Sequence, residues 1–122
     1  TINFSYSYSP DMGNLEKIVE KIAFKMKLHQ GMEDEYKKRH DEIWPELLDL
    51  LVQAGITDYS IFHDEDTNIL FAVMWRKKDH KMEHLKDKDI MQKWWSYMAD
   101  IMDSDETSEP ITKPLKMVFH MK

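Results

Sequence analysis

Ile69-Leu70-Phe71-Ala72-Val73-Met74-Trp75 is the stretch that decides the fold. An unbroken apolar run of this length reads as a strand buried on both faces. Just upstream, Asp64-Glu65-Asp66-Thr67-Asn68 is a polar turn. Before that, Ile56 to His63 reads as a partner strand with Tyr59, Ile61 and His63 on one face. The two strands and the turn form a hairpin.

Working outward from the hairpin, Glu33 to Ala54 is helical by period. Tyr36, His40, Ile43, Trp44, Leu47, Leu48 and Leu51 make one apolar stripe. Pro45 removes an amide donor and disfavours helix at Trp44, so it suits the first position of a second helical segment, with Glu46 favourable in that turn. Gly55 is a natural stop. Further upstream, Ile22, Phe24, Met26 and Leu28 alternate with Ala23, Lys25 and Lys27, the pattern of a half-buried strand that Gly31 ends. On the other side of the hairpin, Asp79 to Lys86 forms one short helix. Asp89 followed by Gln92 resembles a capping box for a helix from Ile90 to Met102. Asp103 to Pro114 is a loop. Leu115, Met117, Phe119 and Met121 then alternate with polar neighbours as a last strand.

The order strand, helix, strand, strand, helix, strand is the split βαβ, or ferredoxin-like, plan of the α+β class, built on an antiparallel sheet. Both helices cover one face of the sheet. The apolar run at 69–75 nevertheless asks for cover on both faces, and a second copy of the sheet is the simplest cover. A homodimer, closing a dimeric α+β barrel, is therefore expected. Thr1 to Pro10 carries no periodicity and Leu15 to Lys21 reads as a short helical turn or charged lead-in. Residues 1–21 are thus expected as an N-terminal extension and 22–122 as one domain.

Composition narrows the function. With 122 residues the chain is one domain with a real core. A formal net charge of −6 argues against non-specific nucleic-acid binding. The chain has no cysteine, which excludes disulfides, thiolate metal sites and cysteine nucleophiles and fits a cytoplasmic location. No apolar run is long enough to span a membrane, and no signal pattern opens the chain.

Four groups of residues invite a chemical reading. Tyr36, His40 and Trp44 stand four residues apart, so a phenol, an imidazole and an indole share a helix face. An edge-of-core role would explain them, but the pair lies at a proline break. This topology also brings Tyr59 and the Trp94-Trp95 doublet towards the same end of the sheet. Neighbouring residues on a helix point about 100° apart, so one tryptophan can pack in the core while the other faces a pocket. His80-Lys81-Met82-Glu83-His84 matches an inverted zinc-protease pattern, but with no third ligand in view a solvated helix is the better reading. His63 with Asp64, Glu65 and Asp66 lacks the glycine and spacing of a calcium loop and reads as a hairpin turn. There is no phosphate-binding glycine loop and no serine elbow. The ten methionines suit an adaptable core.

The segments EYKKRHDEIWPEL (35–47), DYSIF (58–62), NILFAV (68–73), QKWWSYMADIM (92–102) and LKMVFH (115–120) together resemble the L-rhamnose mutarotase family. The likeness runs from about Ile22 to Met121 and keeps the order of the segments. It implies a ferredoxin-like dimer that interconverts the α and β anomers of L-rhamnopyranose without a cofactor or metal. It also implies that Tyr36, His40, Tyr59, Trp94 and Trp95 contact the sugar, with His40 as the proton donor. Ring opening needs a proton on the ring oxygen and one removed from the anomeric hydroxyl. On this expectation His40 supplies the first, Tyr36 or a water handles the second, Tyr59 orients a hydroxyl, and the tryptophans hold the sugar face. Two rivals keep the fold: a non-catalytic sugar- or small-ligand-binding module, and a small monooxygenase.

Overall fold

A computed structural model describes residues 18–122, so most of the expected extension, residues 1–17, lies outside the described residues. Strand β1 (Val19–Lys27) begins three residues before the expected Ile22, taking in Val19 to Lys21. Helix α1 (Glu33–Asp41) and helix α2 (Pro45–Gln53) follow. Strands β2 (Ile56–Asp64) and β3 (Ile69–Lys77) form the hairpin. A 3-10 turn at Met82–Asp87 replaces the helix expected at 79–86, and α3 (Asp89–Met98) comes next. Strand β4 (Lys113–Leu115) is short.

The four strands make one antiparallel sheet in the order β2-β3-β1-β4. The register puts Ile22, Phe24 and Met26 of β1 opposite Met74, Ala72 and Leu70 of β3. These residues face the helices, and Leu70, Ala72 and Met74 are buried with Tyr36, Leu47, Met91, Trp94 and Met98. The other face of β3, Ile69, Phe71, Val73 and Trp75, is only half-covered. Among the described residues, the apolar run at 69–75 is therefore fully buried on one side alone.

The break in the long helical stripe falls where proline chemistry puts it. Trp44 is extended (φ −65°, ψ 131°) and Pro45 is the first residue of α2. Gly55 follows α2 with φ +98°, a left-handed conformation that glycine adopts without strain. In β2 the register slips between Thr57 and Ser60, and Asp58 takes φ +49°. This bulge inserts one residue, so Ile56 and Ile61 both face the helices despite their odd separation. Tyr59 sits in it, with its ring 6.5 Å from that of Phe24 on the same face.

Three local expectations are corrected. No capping box forms at Asp89: the cap position is Lys88, without a side-chain cap, and Gln92 donates to the Lys86 carbonyl instead. Helix α3 ends at Met98, because Met102 leaves the helical path to bridge Leu28 at the end of β1. The last strand covers only Lys113–Leu115, opposite Ala23 to Lys25. Alternation at 115–121 describes an amphipathic segment, but a strand also needs a neighbour, and among the described residues no strand forms a ladder with 116–121.

Candidate active site

Helix α1 sets Tyr36 and His40 one turn apart, and their rings stack with centroids 4.3 Å apart and planes 29° apart. His40 Nδ1 lies 3.0 Å from the Tyr36 main-chain carbonyl, which ties the imidazole to its own helix. Trp94 of α3 meets the His40 ring edge-on at 5.4 Å. The same indole meets Trp44 edge-on at 5.1 Å, and Trp44 in turn stacks on Tyr97 at 5.6 Å. Trp44 thus fills the corner that the proline break opens, the structural role its position suggests.

Trp94 is 6% exposed and belongs to the core, whereas Trp95 is half-buried at the core's margin. The doublet divides as the 100° step between helix neighbours requires. Tyr36, His40, Tyr59, Trp94 and Trp95 all line one open cleft between the helices and the sheet. That cleft measures about 1620 Å³, against the roughly 300–1,000 Å³ usual for a small-molecule site.

Burial governs the electrostatics. It lowers the His40 pKa below the ordinary 6.5, against the Tyr36 carbonyl and Asp41, which pull the other way. The ring is therefore neutral at physiological pH. Burial also pushes the Tyr36 phenol well above the usual tyrosine range, with the Tyr59 phenol adding to the shift. Tyr59 remains 38% exposed as a residue, yet its phenol is crowded enough to be pushed up to about 12. Both phenols stay protonated at neutral pH and offer hydrogen bonds rather than charge.

Arg39 is the residue that sequence reasoning missed. Its side chain is only 10% exposed. Nε donates to Glu35 at 2.7 Å, and Nη1 donates to the Tyr97 carbonyl at 2.7 Å and to Asp100 at 2.9 Å. The guanidinium also lies over the Tyr97 ring, 4.4 Å from its centre. Arg39 therefore clamps α1, which carries His40, to the C-terminal end of α3, which carries Trp94. The i,i+4 pairing with Glu35 was readable in the sequence; the partner 61 residues away was not.

The set-aside motifs find ordinary roles. His80 Nδ1 accepts from the Met82 amide at 3.1 Å, and His80 and His84 lie 3.5 and 3.7 Å from different oxygens of Glu83. His63 Nε2 pairs with Asn68 at 3.2 Å, while Asp64 accepts from the Asp66 amide and the Thr67 hydroxyl to close the hairpin turn. Among the described residues no helix is long and apolar enough to cross a membrane.

Comparison with known proteins shows the family. The model of a family described as L-rhamnose mutarotase matches residues 21–121. A protein of Mesorhizobium japonicum named L-rhamnose mutarotase is 59% identical over 102 residues, covering 84% of this chain and 97% of that protein. One of the same name from Jannaschia sp. is 59% identical over 103 residues, with 84% and 99% covered. The crystal structure of L-rhamnose mutarotase FA22100 from Formosa agariphila superposes with a TM-score of 0.78 at 47% identity, covering 84% of this chain and 99% of that one. The likeness spans nearly the whole of each relative and includes the segments that carry the stacked tyrosine and histidine, and the chain belongs to the L-rhamnose mutarotase family.

Proposed function

We propose that the protein is an L-rhamnose mutarotase, an isomerase that interconverts the α and β anomers of the free sugar by opening and reclosing the pyranose ring. The observation that carries this reading is the stack of Tyr36 on His40 facing Trp94 across the cleft, in a chain of this family. A neutral imidazole held in one orientation suits proton transfer near neutral pH. Tyr36 and Tyr59 serve as protonated hydrogen-bonding groups for sugar hydroxyls. Trp95, half-buried at the margin, offers a ring face to the C–H side of the sugar, and Trp94 closes the site from the core side. The chemistry is proton transfer between sugar oxygens and side chains. It accounts for the catalytic histidine better than a non-catalytic binding module does, since binding alone gives no reason for a proton-transfer group in the cleft.

The strand order β2-β3-β1-β4, antiparallel throughout, supports a ferredoxin-like domain running from the start of β1. The working form is a homodimer in which sheets pack face to face as a dimeric α+β barrel. Phe62, 63% exposed, and the half-covered row of β3 support it. Lack of cysteine supports a cytoplasmic setting.

Saturation-transfer NMR on L-rhamnose tests the reading directly. The wild-type protein should accelerate exchange between the anomers. His40→Ala should lose about 10²–10⁴-fold of that acceleration, the range a positioned acid–base group supplies, while its near-UV circular dichroism stays native. Near-native exchange in His40→Ala would remove the histidine from the mechanism.

A further inference from the structure

The two nitrogens of His40 are not equivalent. Nδ1 sits 3.0 Å from the Tyr36 main-chain carbonyl. A carbonyl can only accept, so Nδ1 carries a proton. In the neutral ring Nε2 is then a bare lone pair, able to take a proton before it can give one. The stacked Tyr36 ring and the edge-on Trp94 hold the imidazole in this orientation. Such a histidine cannot begin the reaction as an acid unless it is first charged.

Resting on the mutarotase reading above, we propose that His40 moves both protons of ring opening through the single atom Nε2, with no second protein acid or base. The two sugar oxygens that exchange a proton, O1 and O5, are bonded to the same carbon, so one nitrogen reaches both. Nε2 takes the proton from O1–H, and the O–H electron pair becomes the second bond of C1=O1. The C1–O5 bond breaks with its pair on O5, and O5 takes the proton from Nε2. His40 is neutral again, and the product is the open-chain aldehyde with a free hydroxyl at O5. Rotation about C1–C2 presents the other carbonyl face, and the same transfers in reverse close the ring as the other anomer. Nδ1–H stays on the Tyr36 carbonyl throughout. The donor role at the ring oxygen is kept, but the proton it delivers comes from the anomeric hydroxyl.

The surroundings support a one-residue path. The cleft is also lined by charged side chains from other elements, among them Asp58, Glu83 and Lys86, and by Lys37 of α1, yet Asp41 on the same helix is the charged group that acts on His40, and it lies along the chain rather than across the cleft. Helix α3 presents the uncharged Trp94 ring, and the sheet presents the Tyr59 phenol, which acts on Tyr36. Tyr36 and Tyr59 both hold their protons more tightly than an ordinary tyrosine. On this scheme Tyr36 orients His40 through its carbonyl and binds sugar through its hydroxyl.

The test is the pH dependence of kcat/KM for L-rhamnose anomer exchange, in the wild type and in Tyr36→Phe and Tyr59→Phe, with 15N NMR of the imidazole. The expected profile rises about tenfold per pH unit until His40 is deprotonated, then stays flat to about pH 9. Both phenylalanine variants should raise KM yet keep that shape, and the spectra should show the proton on Nδ1 along the plateau. A rate that falls as His40 loses its proton would overturn the shuttle while leaving the mutarotase intact. So would a descending limb that either phenylalanine variant removes, or a proton found on Nε2. No catalysed exchange at any pH would bring down the mutarotase reading and the shuttle with it.

Discussion

The two faces of the sheet are built from the same strands and end in opposite conditions. On the helix side, Met26 of β1 and Leu70, Ala72 and Met74 of β3 are buried, Tyr36, His40 and Trp94 line the cleft, and Trp44 and Tyr97 continue the aromatic chain from Trp94. On the other side, Phe71, Val73 and Trp75 are half-covered, and Lys21 lies over the Trp75 ring at 5.2 Å. The C-terminal segment there exposes Val118 to 89% while His120 approaches Trp75 edge-on at 6.5 Å. One face is a finished interior that fixes the geometry of a histidine. Among the described residues, the other is an apolar surface that stays half-covered. On the proposed reading, rigidity at the site and adhesion between copies fall on opposite sides of one sheet, and each can be broken while the other is watched.

The helix side should respond most strongly. Trp94 is buried against His40, Trp44 and Tyr97. Trp94→Ala should cost about 3–5 kcal/mol of stability, the usual range for deleting a buried aromatic, read as a shift in the urea midpoint. Much of the total stability of a domain this size is then gone. Trp95→Ala should cost far less stability and instead raise KM for L-rhamnose. If the two variants proved equally destabilised, the division of the doublet into a core half and a cleft half would be wrong.

The bare side should respond in assembly rather than in folding. Phe62 stands opposite Phe71 on that face and is exposed in the single chain. Phe62→Glu should weaken the proposed dimer by about 2 kcal/mol or more, roughly 30-fold in Kd, as for a truncated hot spot. Sedimentation velocity should then show monomer at micromolar concentration with the secondary structure unchanged. Wild-type protein that is itself monomeric under those conditions would leave the bare face unexplained by self-association.

Much of this contrast was legible in the chain. The period-four placement of Tyr36 and His40, the break at Trp44-Pro45 and the strand order all follow from local rules of spacing and backbone restriction. What was not legible depends on partners distant in sequence. The segment after Leu115 alternates like a strand, yet among the described residues no neighbouring strand forms a ladder with it. Asp89 and Gln92 have the capping-box spacing, but the chain enters the helix at Asp89 itself, so the aspartate cannot cap it. The bulge that carries Tyr59 uses Asp58 at positive φ where a glycine would have announced it.

Arg39 supplies the finest test of the comparison, because it acts on the helix side without touching the core. Its fork joins Glu35, the Tyr97 carbonyl and Asp100, and the Arg39 hydrogen bond is the main reason the Asp100 carboxyl titrates below its ordinary range. Asp100 and Glu35 are largely solvated, so the ion pairs themselves contribute little. The fixed planar geometry contributes more, since lysine keeps the charge but cannot make these bonds together. Arg39→Lys should therefore lower stability by only about 1 kcal/mol. It should nevertheless reduce kcat several-fold, because small misplacements of a proton-transfer group are costly. The proposed dimer should be untouched, since Arg39 lies on the helix side of the sheet. A loss of stability without a loss of kcat would make Arg39 a brace for the helices and nothing more. A loss of dimer would show that the two faces are coupled through the sheet after all.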